Sequence, residues 1–253
     1  MEWSVLAEEF NNQPENYIGD RAVRESAVVV LLHLNQDNEP ALLITRRTST
    51  LGAWPSVLSH AGGKIEPGES FYTASIRELI EEVGLPTLQI VEKLPNIYLF
   101  GTLPPRYIPP HNPKNVDRLS PVVAILNPKI TPDMLTASAS EVAEILSVPI
   151  ATLFNPENFE YFANPNTQLN EVMQCPVIRI NKKDTLWGVT ATIVKDLYQE
   201  FGADEHSINR LKSAINQRLD KTTLTPLQHD NKSATFCESV KARLSKSPGE
   251  WFR

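Results

Sequence analysis

Residues 27–33, AVVVLLH, form the apolar run that most restricts how this chain can fold. The run is unbroken and rich in valine, which is typical of a β-strand covered on both faces rather than on one. Further strands are predicted at residues 41–46, 96–102, 121–126 and 177–180. Because helical patterns lie between these strands, the sequence predicts one mixed α/β domain.

The clearest helical pattern covers residues 70–83. Glu69 and Ser70 can serve its N-terminus, while Gly84 and Pro86 follow its last residue and end it. The preceding residues, 48–68, form a long segment rich in glycine and proline. A loop of this length inside a compact domain is usually functional, so we expect ligand contacts there.

A second helix is predicted over residues 185–201, with Asp184 or Thr185 as its N-cap and Trp187 packed against the core. A short helix is also expected within residues 1–20. The predicted domain covers residues 25–202. The flanking segments, residues 1–24 and 203–253, are expected to be extensions with some helix.

Composition limits the kinds of partner. The chain of 253 residues has a formal net charge of −6, which disfavours a nucleic-acid polymer because such binding relies on a basic surface. Cys175 and Cys237 are too few for a disulfide framework or a thiolate zinc site. No window approaches the roughly 18–20 apolar residues that span a bilayer, so no membrane partner is predicted. The N-terminal residues lack a signal-peptide pattern. The expected location is the cytoplasm, with the peroxisome and the mitochondrion left open.

Three glutamates share one face of the first helix. Glu78, Glu81 and Glu82 stand at positions i, i+3 and i+4, where like charges repel one another. Acidic residues on a helix are usually a solvated surface. Here, however, Gly62 and Gly63 precede the helix and allow backbone to approach a ligand closely. A divalent cation that prefers carboxylate oxygens would neutralise the cluster, and Mg²⁺ commonly bridges such acids to phosphates.

The full pattern resembles the signature of the Nudix hydrolase superfamily, G-x5-E-x7-R-E-U-x-E-E-x-G-U with U an aliphatic residue. Its defined positions are all present, as Gly63, Glu69, Arg77, Glu78, Leu79, Glu81, Glu82, Gly84 and Leu85. The resemblance implies a Nudix-like α/β/α sandwich around a mixed sheet, and Mg²⁺ (or Mn²⁺) as cofactor. The implied metal ligands are Glu78, Glu81, Glu82 and the Gly63 carbonyl. Glu69 and Arg77 are the implied supporting residues.

The reaction that the resemblance implies is hydrolysis of a diphosphate bond in a small nucleotide-containing substrate. The catalytic candidates on the helix are Arg77, Glu78 and Glu81. Removal of a proton from the attacking water requires a base. In this superfamily, the base comes either from the helix or from a glutamate on a later loop. Glu141 is the first candidate for a base outside the helix, and Glu144 is the second.

Around the signature, the chain resembles the coenzyme A diphosphatase branch. The similarity runs from about residue 27 to residue 197 and rests on residues 42–52, 120–126, 138–154 and 186–197. It implies cleavage of coenzyme A or acyl-coenzyme A to 3′,5′-ADP and (acyl-)4′-phosphopantetheine. The predicted substrate-binding residues are Arg46, Arg47, His60, Gly62, Gly63, Lys64 and Arg106.

The upstream motif of that branch, approximately L-L-T-x-R-S-x3-R-x3-G-x3-F-P-G-G, is only partly present. Gly52 stands in place of its second arginine, Ser56 in place of its glycine, and His60-Ala61 in place of Phe-Pro. Two alternatives therefore stay open. One is a Nudix nucleotide diphosphatase acting on oxidised nucleoside triphosphates, ADP-ribose or dinucleotide cofactors. The other is a Nudix-like binding module without catalysis. A homodimer is compatible with each.

Overall fold

The computed structural model describes residues 22–85, 97–108, 115–166, 171–202 and 204–217. The helix predicted within residues 1–20 and the polar stretch of residues 221–253 lie outside this range. The strands are β1 Ala22–Leu34, β2 Pro40–Arg47, β3 Leu58–Ser59, β4 Ala61–Lys64, β5 Ile97–Thr102, β6 Arg106–Ile108, β7 Asn115–Leu126, β8 Val142–Pro149, β9 Phe159–Asn166, β10 Glu171–Arg179 and β11 Thr185–Trp187. The helices are α1 Phe71–Val83, α2 Ile150–Leu153, α3 Gly188–Phe201 and α4 Glu205–Gln217.

The valine-rich strand β1 lies inside an eight-stranded sheet. The main order is β3-β2-β1-β7-β5, and β4, β6 and β8 pair with β1, β7 and β2. Strands β1 and β7 run parallel, from the pair Ala22–Asn115 to the pair Leu32–Ile125. The other pairs in this sheet are antiparallel, so the sheet is mixed, as the resemblance implied.

Apolar side chains cover both faces of β1. Val29 and Leu31 pack on one face with Leu79 of α1. Val30 and Leu32 point to the opposite face, because successive residues of a strand alternate, and they join a cluster formed with α3 and α4. The expected order of layers, helix on sheet on helix, is therefore confirmed. Helix α1 packs on one face of the sheet, at the end where β4 pairs with β1.

The predicted start of the second long helix was wrong. The helix begins at Gly188 rather than next to Asp184 or Thr185, and the residues before it form β11. Leu186 is buried opposite Ile178 in a β ladder. A single apolar residue beside a helical stripe fits both a helix and a strand, and pairing with β10 decided the outcome.

The predicted loop of residues 48–68 contains more structure than the sequence indicated, because it includes β3 and β4. Helix α4 lies where helix was expected in the C-terminal extension, and its Leu211 and Ile215 are buried in the cluster that contains α3. Within the residues that the structure describes, no helix has both the length and the apolar character to cross a membrane.

Candidate active site

Helix α1 carries the acidic cluster, and the local sequence sets both of its ends. The Ser70 side-chain oxygen accepts a hydrogen bond from the Thr73 amide at 3.1 Å and so caps the N-terminus. Gly84 has a left-handed φ of 58° and donates its amide to the Ile80 carbonyl at 3.0 Å. Leu79 is fully buried on the side facing the sheet. These contacts fix the rotation of α1 and therefore the direction of its acids.

Glu78 and Glu82, one turn apart on α1, reach the glycine pair of β4. A Cβ atom at Gly63 would overlap the Glu78 carboxylate, so a larger residue there would displace that carboxylate from β4. The Gly62 amide donates to Glu82 Oε1 at 3.4 Å. A Cβ atom at Gly62 would come within 2.6 Å of Val28 Cα on β1. The two glycines thus let backbone, β1 and the α1 carboxylates meet at one place.

Arg77 forms hydrogen bonds with three carboxylates and one backbone carbonyl of the site. Its Nε and Nη2 atoms donate to the two Glu69 oxygens at 2.9 and 3.1 Å. Its Nη1 atom donates to Glu78 at 2.9 Å and to Glu81 at 3.0 Å. The Nη2 atom also donates to the Lys64 carbonyl at 2.9 Å. A planar guanidinium with five donors can make all of these bonds, whereas an ammonium cannot.

Glu82 is only 4% exposed, and this burial raises the pKa of its carboxyl to about 7. The Gly62 amide opposes this rise in pKa, and the nearby charges of Glu78 and Glu141 add to it. Burial also raises the pKa of Glu78, while its bond from Arg77 lowers it. Carboxylates whose charged form is disfavoured in this way gain most from a neighbouring cation.

The donors of this site fit a hard divalent cation. Among the described residues, no three His, Cys, Asp or Glu side chains already converge as a complete metal site, and Arg77 contacts Glu78 and Glu81. Even so, the groups that meet at Gly63 are carboxylate and carbonyl oxygens, which Mg²⁺ and Mn²⁺ prefer. A cation there would also relieve the repulsion between the buried carboxylates.

Glu141 reaches the acids from a distant part of the sequence. The Thr48 amide donates to the Glu141 carbonyl at 2.9 Å, and the Ser138 amide donates to the Glu82 carbonyl at 2.9 Å. The charge of Glu141 raises the pKa values of both Glu78 and Glu82. The structure therefore brings this loop glutamate close to the α1 carboxylates, although its own side chain is exposed.

The two arginines at the end of β2 have different surroundings. Arg46 is engaged by Glu144 at 2.9 Å and by Asp184 at 2.8 Å. The charge of Arg47 lowers the pKa of the Glu82 carboxyl. Its Nε atom is buried and has no hydrogen-bond partner within the part of the chain that the structure describes. Arg47 is therefore the better placed of the two to meet an anion beside the acids.

The remaining basic candidates, His60, Lys64 and Arg106, differ in burial and in their partners. His60 is 4% exposed, and burial lowers its pKa to about 4, so its ring is neutral at neutral pH. Lys64 is exposed. Arg106 donates two hydrogen bonds to the buried carboxylate of Asp196 on α3, one of them from Nε to Oδ2 at 2.8 Å. Burial raises the pKa of Asp196.

The sequence model of the NUDIX domain matches residues 23–166, which is more than half of the chain. This chain belongs to the NUDIX family. The mitochondrial coenzyme A diphosphatase NUDT8 of Homo sapiens is 30% identical over 180 residues, which cover 69% of this chain and 69% of that protein. "Uncharacterized Nudix hydrolase NudL" of Photorhabdus laumondii is 27% identical over 173 residues, covering 68% and 82%.

Two further comparisons give similarity over part of this Nudix chain. "Probable nudix hydrolase C6G9.05" of Schizosaccharomyces pombe is 27% identical over 170 residues, covering 66% of this chain and 53% of that protein. The chain thus spans about half the length of that relative. A solved MutT/nudix family protein from Enterococcus faecalis is 18% identical, with a TM-score of 0.49 over 79% of this chain and 69% of that chain.

The Nudix domain also contains acidic partners that the sequence did not single out. Asp184 and Asp196 engage the two arginines, Arg46 and Arg106, that were predicted to bind substrate. Asp196 had a usable signal, since it lies among apolar residues of a helix where a charged group needs a partner. For Asp184 we find no signal in the sequence, because its partner Arg46 lies 138 positions away in the chain.

Proposed function

We propose that this Nudix domain is a divalent-metal-dependent diphosphatase that cleaves coenzyme A or acyl-coenzyme A. The products would be 3′,5′-ADP and 4′-phosphopantetheine, or its acylated form. The observation that carries the reaction class is the meeting of the Glu78 and Glu82 carboxylates with the backbone of Gly62 and Gly63. The name of the human relative, a coenzyme A diphosphatase at 30% identity, supports the substrate.

In this proposal, Glu78, Glu81, Glu82 and the Gly63 carbonyl hold Mg²⁺ or Mn²⁺. A bound divalent ion neutralises diphosphate oxygens and lowers the barrier to attack by water. Arg77 sets the direction of Glu78 and Glu81 through bonds of 2.9 and 3.0 Å. The site is then preorganised, which avoids the cost of arranging these groups during the reaction.

Glu141 is the proposed base that accepts the proton of the attacking water. Its charge reaches Glu78 and Glu82, and its exposed side chain is accessible to water. Glu144 is less suited, because its carboxylate already forms an ion pair with Arg46 at 2.9 Å. Arg47 is the proposed contact for a substrate phosphate, since its charge acts on Glu82 and its buried Nε has no hydrogen-bond partner among the described residues.

A second candidate is a Nudix nucleotide diphosphatase with a different substrate, such as ADP-ribose, a dinucleotide cofactor or an oxidised nucleoside triphosphate. The ion pairs of Arg46 and Arg106 favour it, because both cations are already engaged by protein carboxylates. The 3′-phosphate that distinguishes coenzyme A would then have fewer free cationic partners. A cytoplasmic location and a homodimer remain predictions from the sequence.

The test is a substrate panel with Mg²⁺ or Mn²⁺ and identified products. Release of 3′,5′-ADP from coenzyme A supports the first candidate, and release of a nucleoside monophosphate from another substrate supports the second. Glu82→Gln should reduce kcat/KM at least about 100-fold, since even groups outside a metal's direct ligands commonly change activity by about 10- to 100-fold. Glu66→Gln is the matched control, because Glu66 is exposed in the loop before α1. Binding of nucleotide without turnover of any substrate would instead indicate the binding module.

A further inference from the structure

The small sheet of β9, β10 and β11 has an aromatic outer face. Ile178 of β10 and Leu186 of β11 are fully buried toward the core. Their neighbours point the other way, and Trp187 lies there opposite Val177. Phe162 of β9 shares this face and lies with its ring centroid 6.3 Å from that of Trp187. An outward face of an antiparallel sheet is usually polar, so these rings require an explanation.

Trp54 extends this face from the loop between β2 and β3. Its ring meets Trp187 edge-on, with 5.4 Å between centroids and an interplanar angle of 67°. Trp54 remains 45% exposed and Phe162 40% exposed. Trp54 also adopts a φ of 52°, a left-handed conformation that is unfavourable for a bulky residue. Such strain is commonly retained where a side chain must be presented in one direction.

The loop that carries Trp54 is rooted at the acidic site. At its start, the Thr48 amide donates to the Glu141 carbonyl at 2.9 Å. At its end, the Val57 carbonyl accepts from the Arg47 amide at 3.0 Å. Both anchor points belong to residues whose charges act on Glu82. The aromatic surface therefore connects through one short loop to the place where a diphosphate would bind.

We infer that Trp54, Trp187 and Phe162 form a stacking surface for the base of the nucleotide substrate. This inference rests on the proposed function and adds to it the recognition of a planar aromatic ring. Bases stack on aromatic side chains through their π faces, largely independently of base identity. The surface would hold the base while Arg47 and a divalent ion on the α1 carboxylates meet the diphosphate, so that one substrate spans both.

The first test measures equilibrium binding of ADP without metal and without turnover. Trp54→Ala should weaken ADP binding about tenfold, in keeping with the effect of removing one stacking partner. Trp54→Phe keeps an aromatic face and should stay within about threefold of the wild type. Ser49→Ala is the control in the same loop, where Ser49 is also exposed. Phe162→Ala, on the sheet itself, should weaken ADP binding in the same direction.

Inorganic diphosphate serves as a probe that lacks a base. Its affinity should be the same in wild type and Trp54→Ala, because Arg47, the proposed phosphate contact, is unchanged. An equal loss for ADP and diphosphate would overturn the inference, since it would mean that the loop acts on the phosphate contact. Unchanged ADP affinity in both Trp54→Ala and Phe162→Ala would also overturn it.

The binding test is independent of the substrate assignment. If wild-type protein cleaves coenzyme A but the aromatic variants bind ADP normally, the stacking surface is refuted alone. If the aromatic variants lose ADP binding while wild type leaves coenzyme A intact, the surface is supported and the coenzyme A proposal fails.

Discussion

Replacement of buried His60 should change how the stability of this protein depends on pH. Burial holds the pKa of the ring at about 4, against an ordinary value of 6.5. As pH falls, the unfolded chain therefore binds a proton first, and the native state loses stability between the two pKa values. A difference of about 2.5 units at 1.36 kcal/mol each gives about 3 kcal/mol in the free energy of unfolding.

His60→Leu replaces the titrating ring with an apolar side chain of similar size. Both ring nitrogens of His60 lack hydrogen-bond partners within the described residues, so the variant loses no such bond there. We expect it to match or exceed wild-type stability near neutral pH. The gap should then widen in favour of the variant by about 3 kcal/mol as pH falls from about 8 to about 4.

The assay is urea unfolding of both proteins at a series of pH values with a chelator present. The titration of the carboxyl groups is common to both proteins, so it cancels in the difference between their free energies of unfolding. His206→Leu is the control, because His206 is exposed on α4 and its replacement should leave the wild-type profile in place. A gap between His60→Leu and wild type that stays constant with pH would refute the reasoning.

Three other predictions concern the site and its support. Gly63→Ala should lower kcat/KM about 100-fold, because its Cβ displaces the Glu78 carboxylate and misplacement of about 1 Å commonly has this effect. Gly52→Ala, with open space around its Cβ, should leave steady-state rates unchanged. Asp196→Ala should reduce the free energy of unfolding by about 3 kcal/mol in urea titrations, because it leaves Arg106 without its buried partner. Added Mg²⁺ at about 100 times its Kd should raise the free energy of unfolding by about 2.7 kcal/mol.

Each of these predictions has a clear contrary result. Equal activity of the Gly63→Ala and Gly52→Ala proteins would mean that the close approach of Glu78 to β4 is unimportant for turnover. A loss of less than about 1 kcal/mol in Asp196→Ala would indicate that its ion pair behaves like an exposed one. Stability that is the same in Mg²⁺ and in chelator would argue against a metal held by the folded site.

The local parts of the fold were predictable because short-range patterns set them. Ser70 and Gly84 mark the ends of α1, and the structure has both as caps. The apolar run of residues 27–33 predicted a strand covered on both faces, and β1 lies between two apolar clusters. In contrast, β9 was not predicted and β11 was taken for helix, because their pairing with β10 is a tertiary event.

The sequence does not predict which groups surround the basic candidates. Arg46, Arg106 and His60 all looked equally available before their surroundings were known. Their different environments come from residues far away in the chain, such as Asp184, which binds Arg46 from 138 positions away. Sequence spacing carries no information about such partners.

The sequence by itself placed the glutamates on one face of α1, because residues three and four apart on a helix share a side. It also fixed their spacing from Gly63, which lies in β4. Only the tertiary structure decided which other groups join them. Glu141 and Arg47 act on Glu82 through contacts between separate strands and loops, and burial in the assembled domain is what raises the pKa of that carboxyl to about 7. Burial and long-range pairing exist only once the chain has folded, which is the physical reason for the division.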